Sequence, residues 1–374
     1  MMTDPRRYDA AERLAMAQIA EWRVMRTFRP AHFEAVGFPT SINDLGEVKY
    51  MTSAMSDSRG SERVLREMRG LRDHDLLPLY SAIDLYIKYY TTFIDPKNIQ
   101  IPYNILIYYY SLYKKLKNFP NHATILDIGS GVGCLPFFIH SDNSFQTYNQ
   151  IEVTQSLYIT QSTVNSFVFQ DNQCEMSAIE VDMPDAPSPS DVLKQWALDD
   201  NIRLQIKKNF RCTLFPWWQI QMAFVRKYDI IMCNENICEM PDDAFLFFMK
   251  KISESLNPNG LLFVHGIGQT SGDRQKLIDD RLTTLSLIGY RAIVAETSFE
   301  NNGSLSRPNL ILAHSQHTDY DKLPKNLFAR CFDRNDPLVQ GIYGLTEPDG
   351  SIQDLSSLRA MLCQQLDQTY RPEA

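Results

Sequence analysis

The chain has 374 residues and a formal net charge of -8, with 44% apolar and 22% charged residues. This composition excludes a disordered or fibrous chain, and a length above the roughly 250–300 residues at which one hydrophobic core stops growing favours two cooperating units. The acidic balance, without a clustered face of Lys and Arg, disfavours nucleic acid as a partner.

The first part of the chain has a helical pattern. Apolar residues recur three and four positions apart in four segments, at 10–27, 63–72, 79–93 and 101–116. The most apolar segment, 101–116, falls short of the ~20 residues that cross a bilayer, so no membrane span is expected. Glu12 and Glu21 interrupt the first segment, so no signal peptide is expected either. Seven scattered cysteines without a CxxC pair are typical of reduced thiols in a cytoplasmic protein.

Beyond residue 120, short apolar runs alternate with helix-length segments, which is typical of βαβ units and a parallel sheet. Seven strands are predicted, at 124–128, 147–152, 210–214, 228–233, 260–266, 290–297 and 309–313. The last two are separated by a polar loop with no room for a helix, so they must pair as an antiparallel hairpin. The fold class is therefore α/β, a doubly wound, seven-stranded and mostly parallel sheet with an antiparallel carboxyl-terminal hairpin.

These patterns predict three regions. Residues 1–120 form a helical amino-terminal domain, a lid or a dimer interface, and residues 121–320 form the α/β domain. A proline-containing stretch at 171–206 interrupts the alternation and is interpreted as an insertion. Residues 321–374 form a carboxyl-terminal extension. The amino-terminal domain can form a homodimer, cover the site or do both, and no membrane partner is expected.

The strongest local motif is the run ILDIGSGVG, an apolar strand that leads into three glycines and then an apolar helix. Gly129, Gly131 and Gly133 carry no side chain that would block the approach of a ligand to the backbone, although structural turns also use glycines in this way. Asp127 can meet a cationic amino-acid group, which a dinucleotide lacks. Cys134 stands where the dinucleotide motif has Gly or Ala, which disfavours NAD and FAD.

The next predicted strand ends at Glu152, where an acidic residue binds a ribose diol in nucleotide-binding α/β folds; a solvated carboxylate at a strand end is the alternative. The strand, the DxGxGxG loop, the helix and this acid resemble the class I S-adenosylmethionine-dependent methyltransferases, whose sheet also ends in a reversed hairpin. The resemblance covers about 123–315. It implies S-adenosyl-L-methionine as the cofactor, bound by Asp127, Gly129, Ser130, Gly131, Gly133 and Glu152.

One departure from this family follows the third strand. The family often has another acid there, which holds the adenine amino group, whereas this chain reads LFPWW over 214–218. We infer that Trp217 packs against the adenine while backbone groups supply the hydrogen bonds. Ordinary core packing of the aromatic residues is the alternative.

Polar residues also follow the fourth strand, in the run NENICEM. Asn234 is expected to bind the cofactor, and Glu235 and Asn236 the acceptor. Glu239 would orient acceptor hydroxyls or act as the catalytic base. A loop that merely begins a helix with an acidic first turn is the alternative.

His265 ends the fifth strand, where an imidazole suits base catalysis, although a structural histidine is as good an explanation. Methyl transfer is an in-line displacement that needs no metal and no covalent intermediate. No metal site is predicted, since the chain has no cluster of His and acidic residues with ligand spacing. A magnesium ion held by Glu235 or Glu239 stays an alternative.

The runs NENICEM and FPWWQI, together with the helical amino-terminal region, resemble a bacterial family of sugar O-methyltransferases. This resemblance implies a small-molecule acceptor with a hydroxyl group, a sugar first and another natural product second. Tyr109, one of a group of tyrosines in the amino-terminal helices, can stack on such an acceptor, with helix packing as the alternative. Fold does not fix the acceptor, so a peptide or protein methyltransferase, a non-catalytic cofactor-binding protein and a nicotinamide oxidoreductase stay open.

Overall fold

A computed structural model describes eight stretches of the chain, 3–27, 39–48, 71–119, 122–177, 210–234, 236–266, 274–299 and 305–323. They group into two compact units. The first contains the described residues of Met1–Asp44, Pro120–Gly133 and Asp142–Ile342. The second contains those of Leu45–Phe119 and Cys134–Ser141. Residues before Leu45 thus group with the α/β part of the chain, and the domain boundaries inferred from the sequence stay predictions.

The helices, in chain order, are α1 Pro5–Gln18, α2 Trp22–Met25, α3 Asp73–Phe93, α4 Tyr103–Leu116, α5 Pro136–Ile139, α6 Gln155–Phe169, α7 Ile220–Phe224, α8 Asp242–Ser255 and α9 Arg274–Leu287. Helix α1 begins where local chemistry favours it, because Asp4 accepts a hydrogen bond from the Arg6 N–H and Pro5 occupies the first turn. Among the described residues, no helix combines the length and the apolar character that a membrane crossing requires.

The strands are β1 Ala123–Ile128, β2 Phe145–Glu152, β3 Gln173–Glu175, β4 Cys212–Pro216, β5 Tyr228–Asn234, β6 Leu256–His265, β7 Tyr290–Phe299 and β8 Leu305–His314. They form one sheet in the order β3-β4-β2-β1-β5-β6-β8-β7. Strand β8 is antiparallel to both β6 and β7, and the other pairs are parallel. The predicted fold class and its carboxyl-terminal hairpin are confirmed.

The sheet differs from the prediction in one strand, since its described part has eight rather than seven. The additional β3 lies at the edge beside β4, within the stretch at 171–206 that was interpreted as an insertion. Its three residues, Gln-Cys-Glu, bury only the central side chain, so no apolar run marked it. Hydrogen bonding to β4, rather than local propensity, makes this segment a strand.

The second unit is an aromatic assembly of α3, α4 and α5. The ring centroids of Tyr86 and Phe137 lie 5.7 Å apart, as do those of Tyr110 and Phe138. The carboxylate of Asp75, which is fully buried, accepts hydrogen bonds from the Tyr110 hydroxyl at 2.6 Å and from Lys114 Nζ at 2.8 Å. These bonds compensate a buried charge that would otherwise be costly. The tyrosines of this unit therefore contribute substantially to its core.

Candidate functional site

The direction of winding changes between β1 and β5. From β1 the chain continues outward through β2 and β4, and β5 then lies on the opposite side of β1, followed by β6. In doubly wound sheets such a switch opens a crevice outside the carboxyl ends of the strands, where ligands bind. The described residues that follow β1, β2 and β5, together with His265 at the end of β6, lie on this side of the sheet and include most of the residues predicted for the site.

The loop after β1 requires its glycines. Gly129, Gly131 and Gly133 have φ angles of +68°, +60° and +69°, in the left-handed region that L side chains rarely adopt. A Cβ on Gly129 would come within 2.6 Å of Asn236 Nδ2, and one on Gly133 within 2.9 Å of Gln161 Cγ. The loop therefore packs tightly against two neighbouring polar side chains.

Asp127 lies at the end of β1, beneath this loop, and is completely buried. Its Oδ2 accepts a 2.7 Å hydrogen bond from the Tyr148 hydroxyl, while its Oδ1 has no hydrogen-bond partner. Burial raises the pKa of Asp127 to about 7, although the bond from Tyr148 acts in the opposite direction. The structure thus holds an acceptor oxygen beside the glycine loop that a cation would stabilise.

Glu152, at the end of β2, is buried as well. Its Oε1 accepts hydrogen bonds from the backbone N–H groups of Val153 at 2.8 Å and Thr154 at 2.9 Å. Its Oε2 accepts a 3.0 Å bond from Gln161 Nε2. Burial raises the pKa of Glu152 to about 7, even though these donors favour the ionised form. The carboxylate is held in one orientation by the chain itself.

Gln161, on α6, is a site residue that the sequence analysis missed. Its Nε2 donates both to Glu152 and to the carbonyl oxygen of Gly131, so one side chain joins the glycine loop to the end of β2. These two acceptors fix the amide orientation, which leaves Oε1 as a buried acceptor without a partner. The polar character of α6 was the only signal in the sequence, because this helix is buried on nearly every side.

Asn236, predicted to bind the acceptor, lies against the glycine loop. Its Nδ2 donates to the carbonyl oxygen of Ile128 at 2.5 Å, and its Oδ1 is buried without a hydrogen-bond partner. The loop after β5 is therefore anchored to the loop after β1. Together with Asp127 Oδ1 and Gln161 Oε1, three unpartnered acceptor oxygens flank the glycines.

Asn234 and His265 are register partners at the carboxyl ends of β5 and β6. Asn234 Oδ1 and His265 Nδ1 lie 3.3 Å apart, and both side chains are buried. Glu239 is half-buried in the same loop, and its backbone N–H donates to the Asn236 carbonyl oxygen at 3.0 Å. The structure thus brings these predicted residues to one edge of the sheet.

A second residue that the sequence analysis missed, Arg281 on α9, shapes this loop. Its guanidinium donates to the carbonyl oxygens of Ile237 at 3.1 Å and Met240 at 2.8 Å, and it pairs with Asp242 at 2.9 Å. An arginine presents several donors in a fixed geometry, which suits it to bind two carbonyl groups of one loop. It holds the loop that carries Asn236 and Glu239.

Three other predicted residues have different surroundings, and a fourth is not described. The Ser130 hydroxyl accepts a 3.1 Å bond from Gln150 Nε2 within the sheet, and Trp217 is buried with its indole N–H donating to Glu12 Oε1 at 2.8 Å. Tyr109 belongs to the second unit and packs edge-on against Tyr108, and Glu235 lies outside the described residues. Across the described stretches, no group of three His, Cys, Asp or Glu side chains is arranged to hold a metal ion.

The structure defines a doubly wound α/β protein with a glycine-rich loop after its first strand. No protein-family model matches the sequence, and no curated protein does. A methyltransferase from Pyrococcus furiosus resembles it at 14% identity and a TM-score of 0.32, over 62% of this chain and 95% of that one. The glycopeptide N-methyltransferase MtfA, solved with S-adenosyl-L-methionine, shares 12% identity over 55% and 86% of the two chains, at a TM-score of 0.35. Similarities this low assign no activity to the chain.

Proposed function

We propose that the protein is an S-adenosylmethionine-dependent methyltransferase. The observation that carries the proposal is the set of buried acceptor oxygens beside the glycine loop, on Asp127, Gln161 and Asn236, none of which has a hydrogen-bond partner. An amino-acid ammonium group carries three N–H donors and a positive charge, which complements such a set. The diphosphate of a nicotinamide dinucleotide has only acceptors and negative charge, so the same oxygens would repel it.

The remaining cofactor residues fit the same ligand. Glu152 is fixed by Gln161 and by two backbone N–H groups, which both donate to Oε1. Its Oε2 accepts one hydrogen bond in the protein, so one ribose hydroxyl can still donate to that oxygen. When bound, S-adenosylmethionine supplies a methyl group on a cationic sulfonium, which is already electrophilic.

In this proposal the protein positions the acceptor and takes up its proton. If His265 Nδ1 carries the proton and donates to Asn234 Oδ1, the imidazole is in the tautomer whose lone pair lies on Nε2. That lone pair would accept the proton of the acceptor. Glu239, in the loop that Arg281 holds, is the second candidate base. Both groups lie at the carboxyl ends of the parallel strands, on the side of the sheet where the glycine loop follows β1.

The proposed acceptor is a hydroxyl group of a small molecule, a sugar or a related natural product. Support comes from the resemblance of the NENICEM and FPWWQI runs to sugar O-methyltransferases. The acidic net charge agrees with an acceptor other than nucleic acid. Peptide methylation and cofactor binding without turnover are the competing outcomes of the test.

The test is calorimetric titration of the full chain with S-adenosylmethionine, S-adenosylhomocysteine and NAD, followed by transfer of labelled methyl groups to sugar and peptide panels. We expect both adenosyl ligands to bind, NAD not to bind, and label to appear on sugar hydroxyl groups. Binding of NAD alone would refute the cofactor assignment. Label on peptides only would refute the acceptor, and binding without transfer to either panel would refute the enzymatic role.

A further inference from the structure

The amino-terminal helix α1 packs at the carboxyl ends of β2 and β4. The ring of Tyr8 lies 4.9 Å from that of Tyr158 and 4.8 Å from that of Trp218, centroid to centroid. Tyr158 is on α6, which follows Glu152 directly, and Trp218 follows Pro216, the register partner of Glu152. Tyr8 therefore lies at the Glu152 end of the proposed cofactor site.

Hydrogen bonds and an ion pair made by residues other than Tyr8 fix the position of α1. Glu12 accepts a hydrogen bond from Trp217 Nε1 at 2.8 Å and pairs with Arg26 at 2.9 Å. Gln155 Nε2 donates to Asp9 Oδ1 at 3.1 Å. The helix is thus anchored by ion pairs and hydrogen bonds that do not involve the Tyr8 hydroxyl.

The Tyr8 hydroxyl has no hydrogen-bond partner, although the side chain is fully buried. Two other buried tyrosines are paired: the Tyr158 hydroxyl donates to the Leu214 carbonyl oxygen at 3.2 Å, and that of Tyr228 to the Ala223 carbonyl oxygen at 2.7 Å. A buried hydroxyl without a partner costs free energy, which a ligand hydrogen bond would recover. Because Tyr8 also lies at the Glu152 end of the proposed site, its unpartnered hydroxyl is placed to bind a ligand there.

The surroundings of Tyr8 define the chemistry of its partner. Burial, followed by the charges of Glu12 and Glu152, raises the pKa of Tyr8 well above its usual value, so the hydroxyl stays protonated. It can both donate and accept a hydrogen bond. A group with its own O–H or N–H donors suits a position among carboxylates, and a nucleoside has such groups beside an aromatic base.

We propose that the Tyr8 hydroxyl binds the nucleoside part of the cofactor, which makes α1 one wall of the cofactor site; this rests on the proposed function. The chain would then need its amino-terminal helix for cofactor binding as well as for folding. The methionine part of the cofactor, which the Asp127 end would hold, should be insensitive to Tyr8.

The test compares Tyr8→Phe with Tyr290→Phe, in which an equally buried and unpartnered hydroxyl is removed from strand β7 at the far edge of the sheet. Calorimetry with S-adenosylhomocysteine and with adenosine, and competition with L-methionine, are measured on wild type and both variants. We expect Y8F to bind S-adenosylhomocysteine and adenosine about fivefold to thirtyfold more weakly, with methionine affinity unchanged. Y290F should match wild type throughout.

The outcomes separate the two proposals. Wild type that fails to bind S-adenosylhomocysteine refutes the proposed function. Wild type that binds it while Y8F binds it equally well overturns the role of Tyr8 alone. A loss shared equally by all three ligands, or matched by Y290F, would show a structural effect and would also overturn it. Thermal unfolding of both variants confirms that folded proteins are compared.

Discussion

Gln161 and Glu152 are joined by a 3.0 Å hydrogen bond from Gln161 Nε2 to Glu152 Oε2, and the same nitrogen reaches the carbonyl oxygen of Gly131. This side chain couples the two loops that the proposed cofactor would contact. It also offsets part of the cost of burying the Glu152 carboxylate. The glycine loop and the acid after β2 therefore act as one connected unit.

Replacing Gln161 by Leu should weaken S-adenosylmethionine binding roughly tenfold and lower the free energy of unfolding by about 1–3 kcal/mol, because Glu152 loses a donor. Calorimetry and denaturant unfolding measure the two effects. A double-mutant cycle with Glu152→Gln should give a coupling energy of about 0.5–3 kcal/mol. Strictly additive losses would show that the two side chains act independently.

Gly129→Ala should lose cofactor affinity, because the new methyl group would lie 2.6 Å from Asn236 Nδ2 and displace the loop that Asn236 anchors. Gly289→Ala is the matched control, with φ of +96° but no atom within 3.6 Å of its added Cβ. Both should be destabilised by about 1–2 kcal/mol through the left-handed backbone. Equal cofactor affinity in the two variants would contradict the tight packing of the loop.

Burial raises the pKa of Asp127 from 3.8 to about 7, so the folded state holds this proton more tightly than the unfolded state. The contribution of this proton to the free energy of unfolding is fully present below pH of about 4 and is lost as the pH rises through about 7. The ligand-free wild type should therefore lose stability relative to Asp127→Asn between these values. Unfolding at a series of pH values measures the difference, and a difference independent of pH would contradict it.

The same ionisation should affect ligand binding. A cationic ligand favours the charged form of Asp127, so affinity for S-adenosylmethionine should increase as the pH rises from about 5 to about 7. Asp127→Asn should lose the part of this dependence that Asp127 contributes, while the part due to Glu152, whose pKa burial also raises to about 7, remains. Titrations in two buffers with different ionisation enthalpies would detect the proton released on binding, and its absence near pH 6 would count against the assignment.

His265→Ala should lower kcat by about a hundredfold or more without changing cofactor affinity, if the imidazole removes the acceptor proton. His314→Ala is its control, because antiparallel pairing of β8 with β6 places His314 at the opposite end of the sheet. Glu239→Gln tests the other base. Full turnover in both His265→Ala and Glu239→Gln would show that neither group takes the proton.

The sequence predicted the sheet and the position of the glycine loop because both depend on local patterns. Alternating apolar runs identified the seven longer strands, and the DxGxGxG run gave the bend between β1 and α5. Asp127 and Glu152 could be placed on one edge because parallel strands end there together. These inferences needed only chain order and strand direction.

What the sequence did not reveal depends on contacts between distant segments. The hydrogen bond between Glu12 and Trp217 joins residues 205 positions apart, and Trp217 is fully buried. Gln161 and Arg281 lie on helices whose periodicity says nothing about the loops they bind. The short segment β3 forms a strand because it pairs with β4, which lies next to it in the sheet.

In the proposed function, the buried carboxylate of Asp127, two residues before the glycine loop, binds the cationic end of S-adenosylmethionine. Calorimetric titration of wild type, Asp127→Asn and Asp229→Asn tests this role directly. Asp229→Asn is the control, because the Asp229 carboxylate accepts hydrogen bonds from Thr124 at the opposite end of β1. We expect D127N to bind at least about tenfold more weakly and D229N to bind like wild type. Wild-type affinity in D127N, or wild type that does not bind the ligand, would contradict the claim.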